Sequence, residues 1–101
     1  MDVFDSVEWD EIKRLNNIAK HALDFRDAIY LFRSPYLRLT ARTVNGEARS
    51  MAVGMLDDIH VAVVYTLRGS ALRVISMRKA RNDERRHYDE VFGGEPGADQ
   101  S

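Results

Sequence analysis

At 101 residues the chain is long enough for one domain with a single modest two-layer core and too short for two. Hydrophobic residues at 45% and charged residues at 31% give an ordinary globular balance, with no apolar run long enough to cross a bilayer. The absence of cysteine excludes disulfides, thiolate catalysis and a thiolate-type zinc site, and fits a reducing, cytoplasmic setting. Residues 1 to 10 hold four acids and no apolar core of a signal peptide.

Val3 to Glu8, with Val3, Phe4 and Val7 ahead of Trp9, suits a short added strand. Asp10 is a good N-cap for a helix whose apolar positions Ile12, Leu15, Ile18, Ala19, Ala22 and Leu23 predict one buried stripe. Asp24 can cap a second short helix with Phe25, Ala28, Ile29 and Phe32 on one face, ended by Ser34-Pro35.

The alternation of Leu37, Leu39 and Ala41 with Tyr36, Arg38, Thr40 and Arg42 reads as a half-buried strand, and Asn45-Gly46 as a two-residue hairpin turn. That turn would set Arg42 opposite Arg49, a like-charge pair that costs a few tenths of a kcal/mol or more. The return strand runs from Ala48 to Met55. After a turn at Asp57-Asp58, His60 to Leu67 and Ala71 to Arg78 complete a four-strand antiparallel meander. A last helix, capped by Asn82 or a neighbour, lines up Glu84, Tyr88 and Val91 and stops at Gly93-Gly94. The expected fold is therefore α+β: an antiparallel twisted sheet of four to five strands, two N-terminal helices and one C-terminal helix. A single domain would span residues 1–92, and residues 93–101, polar and glycine-rich, read as a disordered tail.

The net charge of −1 conceals a local field. Between Val61 and Tyr88 stand seven cations (Arg68, Arg73, Arg78, Lys79, Arg81, Arg85, Arg86) against two anions (Asp83, Glu84), a surplus of five. Phosphates bind to fields of this kind. There is no glycine-rich phosphate loop, no H-E-x-x-H and no nucleophile elbow, and His21, His60 and His87 are scattered. What remains is Arg, Lys, His, Thr, Ser and Tyr, a set suited to metal-free RNA cleavage: activating a 2′-hydroxyl, neutralising a phosphorane and protonating a leaving oxygen.

Lys20-His21 falls at a helix C-terminus, where the macrodipole favours cations whether or not they have a further role. A Gly69-Ser70 turn would face Thr66 with Arg73, either a working pair or a hairpin-end surface pair. Arg73 and Arg78 are an odd number of residues apart and share a face only if a bulge intervenes or Arg78 lies past the strand end. Arg85, Arg86 and His87 read first as a solvated helix face, and Trp9 and Phe32 as core.

These residues also resemble, in order and spacing, the BrnT toxin family, ribonuclease toxins of type II toxin–antitoxin systems. The matching pieces are Glu8-Trp9-Asp10 with Lys13, Asn17, Lys20-His21, and Phe25 with Ala28 and Phe32 before Pro35. They continue with Gly46-Glu47 and Arg49, Tyr65-Thr66 with Arg68-Gly69, then Arg73, Ile75-Ser76, Arg78, Ala80, and Glu84-Arg85 with Tyr88.

The resemblance implies a RelE-like fold and a metal-independent endoribonuclease, needing no cofactor, that cuts RNA and blocks translation. Its partner would be a BrnA-like DNA-binding antitoxin in a hetero-oligomer that touches DNA only through the antitoxin and has no membrane role. It further implies a catalytic set of Lys20, His21, Arg49, Arg73 and Arg78, with Glu47, Thr66, Arg68 and Tyr88 as RNA- or phosphate-binding residues. Ala22 stands where the family commonly has glycine, and Arg81 where it has the threonine of a capping box. A non-catalytic binding module, or a degenerate toxin serving as co-repressor, is the rival reading.

Overall fold

The structure is a computed structural model that describes residues 4–93. Along the chain run strand β1 (Ser6–Trp9), helix α1 (Glu11–His21), a 3-10 turn (Phe25–Asp27) leading into α2 (Ala28–Phe32), and strands β2 (Leu37–Thr40), β3 (Ser50–Leu56), β4 (Ile59–Arg68) and β5 (Ala71–Lys79). Helix α3 (Asn82–Phe92) follows. The five strands form one sheet in the order β1-β5-β4-β3-β2.

The expected meander is present, and one expectation is corrected: β1 lies parallel to β5, so the sheet is mixed. A four-residue strand carries no pattern that encodes the direction of its partner. The added strand covers Ser6–Trp9, and Val3 lies outside the described residues, as do residues 94–101 of the expected tail.

Turn chemistry behaves as the sequence predicts. Asn45 and Gly46 both have positive φ (51° and 77°), and Val44 and Glu47 exchange both backbone hydrogen bonds across them. Asp57-Asp58 joins β3 to β4 with both residues left-handed, and Gly69-Ser70 joins β4 to β5. The register between Thr40↔Ser50 and Val44↔Glu47 nevertheless shifts by one residue, so the N–H of Ala41 donates to the carbonyl of Arg49. Arg42 therefore does not sit opposite Arg49, and the like-charge conflict is avoided.

One face of the sheet is covered by Phe25, Ala28, Leu31 and Phe32, packed on Ala52, Val61, Val63, Tyr65, Leu72, Val74 and Met77. The Phe32 ring sits edge-on to Tyr36 and Tyr65, with centroids 4.9 and 5.0 Å away. Close packing there depends on Gly54, where an added Cβ would stand 2.8 Å from Cγ of the fully buried Leu31.

Helix α1 departs from expectation. Asp10 does cap it, its Oδ1 accepting from the N–H of Lys13, but Ile12 (72% exposed) and Leu15 (52%) face solvent and Asn17 is the residue it buries. Its C-cap is Ala22, held in the left-handed region (φ 58°, ψ 31°) with its N–H on the Ile18 carbonyl. That conformation costs an L-residue about 1–2 kcal/mol, and glycine relieves it. Helix α3 lies on the opposite sheet face, over the buried side chains of Val53 and Ala62. Its N-cap is Arg81 rather than Asn82: the Arg81 N–H is bound by the Glu84 carboxylate at 2.8 Å, half of a capping box that needs no hydroxyl.

Two stability outcomes follow in chemical denaturation. Ala22→Gly stabilises the protein by about 1 kcal/mol, net of the added freedom of the unfolded chain. Gly54→Ala destabilises it by about 1–3 kcal/mol, because Leu31 has no room to yield.

Candidate functional site

Strand β5 carries the site, through a defect in its pairing with β4. Val64 pairs with Ser76 but Tyr65 pairs with Val74, which leaves Ile75 as an extra residue. Thr66↔Arg73, Val64↔Ser76 and Ala62↔Arg78 then lie on one face, the face opposite the α2 side. The bulge is what brings Arg73 and Arg78 to the same side despite their odd spacing.

The bulge is secured from the edge. Beyond Val74 the strand β1 has ended, and the N–H of Met77 donates instead to Oδ1 of the buried Asn17, at 3.2 Å. The amide of Asn17 donates in turn to the Leu23 carbonyl at 3.0 Å, so one side chain ties β5, α1 and the residue after the Ala22 cap together. Lys20 and His21, in the last turn of α1, consequently line a shallow cleft of about 480 Å³ with Arg78 and Lys79. A neighbouring cleft joins them to Ile75 and Ser76.

Arg49 precedes β3, two residues before Met51, which pairs with Val64 on the site face. Thr66 is 4% exposed and donates its hydroxyl proton to the Ala48 carbonyl at 2.8 Å. It thus fixes the backbone just ahead of Arg49 instead of offering its proton to a phosphate. The Nε of Arg49 is buried and has no hydrogen-bond partner among the described residues. An orphan donor of this kind costs about 1–3 kcal/mol.

The other arginines are each held by a carboxylate: Arg68 by Glu47 and Arg73 by Glu8, both at 3.1 Å, and Arg78 by both oxygens of Glu84 at 2.8 and 2.9 Å. Donor capacity separates them. Arg78 also donates to the Lys79 carbonyl and lies 3.9 Å from the Met51 sulfur, which leaves mainly its Nε, whereas Arg73 engages a single Nη. The Glu84 pair holds that carboxyl below the usual carboxylate range and pushes the Arg78 guanidinium up.

Lys20, His21 and Arg78 are brought together, Arg73 shares the sheet face of Arg78, and Arg49 with Thr66 adjoins it across β4. The exposed Arg68–Glu47 pair lies at the hairpin end, and Tyr88 sits edge-on to His60, centroids 5.4 Å apart, where burial raises its hydroxyl. Glu8, Asn17 and Ser76 escaped selection as site residues. Glu8 and Arg73 are far apart in sequence and become partners only through the parallel strand. Among the described residues no group of three or more His, Asp or Glu could hold a metal ion.

An open sheet face bearing arginines beside a Lys-His pair is a surface for a polyanion. The comparisons agree with that class. Residues 9–84 match the family described as "Ribonuclease toxin, BrnT, of type II toxin-antitoxin system". The crystal structure of the Brucella abortus ribonuclease toxin BrnT is similar at 42% sequence identity and a TM-score of 0.60, over 76% of this chain and 97% of that one. No curated protein sequence matches. The chain belongs to the BrnT family of ribonuclease toxins of type II toxin–antitoxin systems.

The Glu84 pair sets an acid dependence. Its folded-state pKa is depressed, so its stabilisation is full above the unfolded value, about 4.3, and is lost as pH falls through the lower folded value. Glu84→Gln should lose about 2 kcal/mol at neutral pH and flatten that part of the slope of unfolding free energy below about pH 4.5. Denaturant titrations at several pH values give the readout.

Proposed function

We propose that the chain is a metal-independent endoribonuclease that cleaves RNA in the cytoplasm and so blocks translation. In this reading the fold is RelE-like, and a BrnA-like DNA-binding antitoxin neutralises the toxin in a hetero-oligomer that meets DNA only through the antitoxin. The observation that supports the reading best is the co-facial placement of Arg73, Ser76 and Arg78 by the bulge, with Lys20 and His21 beside them.

His21 or Lys20 takes the proton of the attacking 2′-hydroxyl or returns one to the leaving oxygen. Arg73 and Arg49 donate to the phosphorane, where charge accumulates and hydrogen bonds strengthen most. Arg78, with most of its donors engaged, contributes its charge and fixes the wall of the cleft. Thr66 holds the strand that presents Arg49. Glu47 and Arg68 extend the surface along the RNA backbone, and Tyr88 steadies α3.

The test is cleavage of total RNA by the purified chain in the presence of EDTA. Arg49→Ala and Arg73→Ala should each lose about 10²–10³-fold in rate, and His21→Ala a comparable factor. Abolition by EDTA, or undiminished cleavage in all three variants, overturns the reading. RNA binding with a steep salt dependence and no cleavage would establish the non-catalytic alternative instead.

A further inference from the structure

The apolar stripe of α1, expected to be core, is on the surface. Leu15 stands three residues before Ile18 and Ile12 three before Leu15, so the stripe slants along the helix. It runs towards Ile18 and Ala22, which line the wall of a groove of about 710 Å³ between α1, α2 and the β3–β4 turn. Tyr30 (57% exposed) and Ile59 (40%), two of the seven large exposed hydrophobics among the described residues, line the same groove.

The rim of the groove is acidic. Asp24, Asp27 and Asp57 line it, and no lysine, arginine or histidine does among the described residues. Asp24 is satisfied by Arg14 and Arg26, whereas the carboxylates of Asp27 and Asp57 have no ion-pair partner among the described residues. Helix α1 thus presents Lys20 and His21 to the site on one flank and Ile18 and Ala22 to the groove on the other.

We propose that this groove is the anchoring surface for the antitoxin, and that it takes an amphipathic segment whose apolar residues fill the groove and whose flanking lysines or arginines meet Asp27 and Asp57. A second copy of the chain fits poorly. A twofold contact would set each acidic rim against itself, and placing the basic face of one copy on the rim of the next would build an open-ended chain. The inference rests on the toxin reading for the existence of the partner alone, because the groove shares no residue with the catalytic set.

The test uses the full chain purified with the antitoxin of its own pair. Tyr30→Glu and Ile59→Lys, both at exposed positions lining the groove, should each weaken antitoxin binding at least about 30-fold, the loss expected of a central contact. RNA cleavage by the free variants should be unchanged. The double variant Asp27→Lys/Asp57→Lys should slow association and reduce its salt dependence. Hydrogen exchange on the unmodified complex gives an independent footprint: protection along Leu15 to Ala22 and around Asp57-Asp58 is expected. Unchanged affinity in the variants, or protection confined to the face of Arg73 and Arg78, overturns the proposal. Self-association of the unmodified chain that Tyr30→Glu abolishes also overturns it, by assigning the groove to a second copy. A chain that binds antitoxin through the groove yet cuts no RNA leaves the proposal standing and removes the ribonuclease reading.

Discussion

The hydrogen bond from the Met77 N–H to the Asn17 side chain is the constraint on which the arrangement depends. Ile75 interrupts the β4–β5 ladder, and β1 stops at Trp9↔Val74, so β5 reaches this point with an edge N–H that has lost its strand partner. An unmet buried amide would cost about 1–3 kcal/mol. Asn17 meets it and, through the Leu23 carbonyl, fixes where α1 ends. The same contact therefore sets both the direction of Arg78 and the position of Lys20 and His21. Two parts of the site that are distant in sequence are aligned by one amide side chain.

Carboxylates then determine what each arginine can do. Glu84 binds the Arg78 guanidinium through both oxygens and caps α3 through the Arg81 N–H, so the start of that helix and the direction of that side chain are set together. A guanidinium held in this way is oriented but has few donors left, whereas among the described residues Arg73 engages one of its five N–H groups and Arg49 leaves a buried donor unmet. Similar side chains on one sheet face thus differ in their capacity for phosphate. Proximity alone would have ranked them differently.

Much of the fold was legible because local rules agreed with each other. Asn45-Gly46, Asp57-Asp58 and Gly69-Ser70 fixed three hairpins, Asp10 and Asp24 capped helices, and strand alternation marked the buried face. The site was legible as residue types and, through the family resemblance, as positions. Its alignment was not, because the sheet period is two and a single inserted residue reverses every later side chain. Nothing in Val74-Ile75-Ser76 announces a bulge on a single-sequence reading. The misplaced stripe of α1 has a related cause: helical periodicity reports that an apolar face exists, not what covers it. Here the helix docks through Asn17 and Arg14, a polar pair that periodicity assigns to solvent.

The net charge of −1 conceals a segregated distribution that bears on the proposed binding of a polyanion and of a protein partner. A uniform surface of that charge would attract neither strongly. The charges are segregated: arginines and Lys20-His21 collect around β5, and Asp27 and Asp57, without an ion-pair partner among the described residues, line the groove on the far flank of α1 beside Tyr30 and Ile59. Helix α1 separates them, and its left-handed Ala22 stop lies at the junction, lining both the cationic cleft and the acidic groove. A shift of that short segment would be felt on both sides.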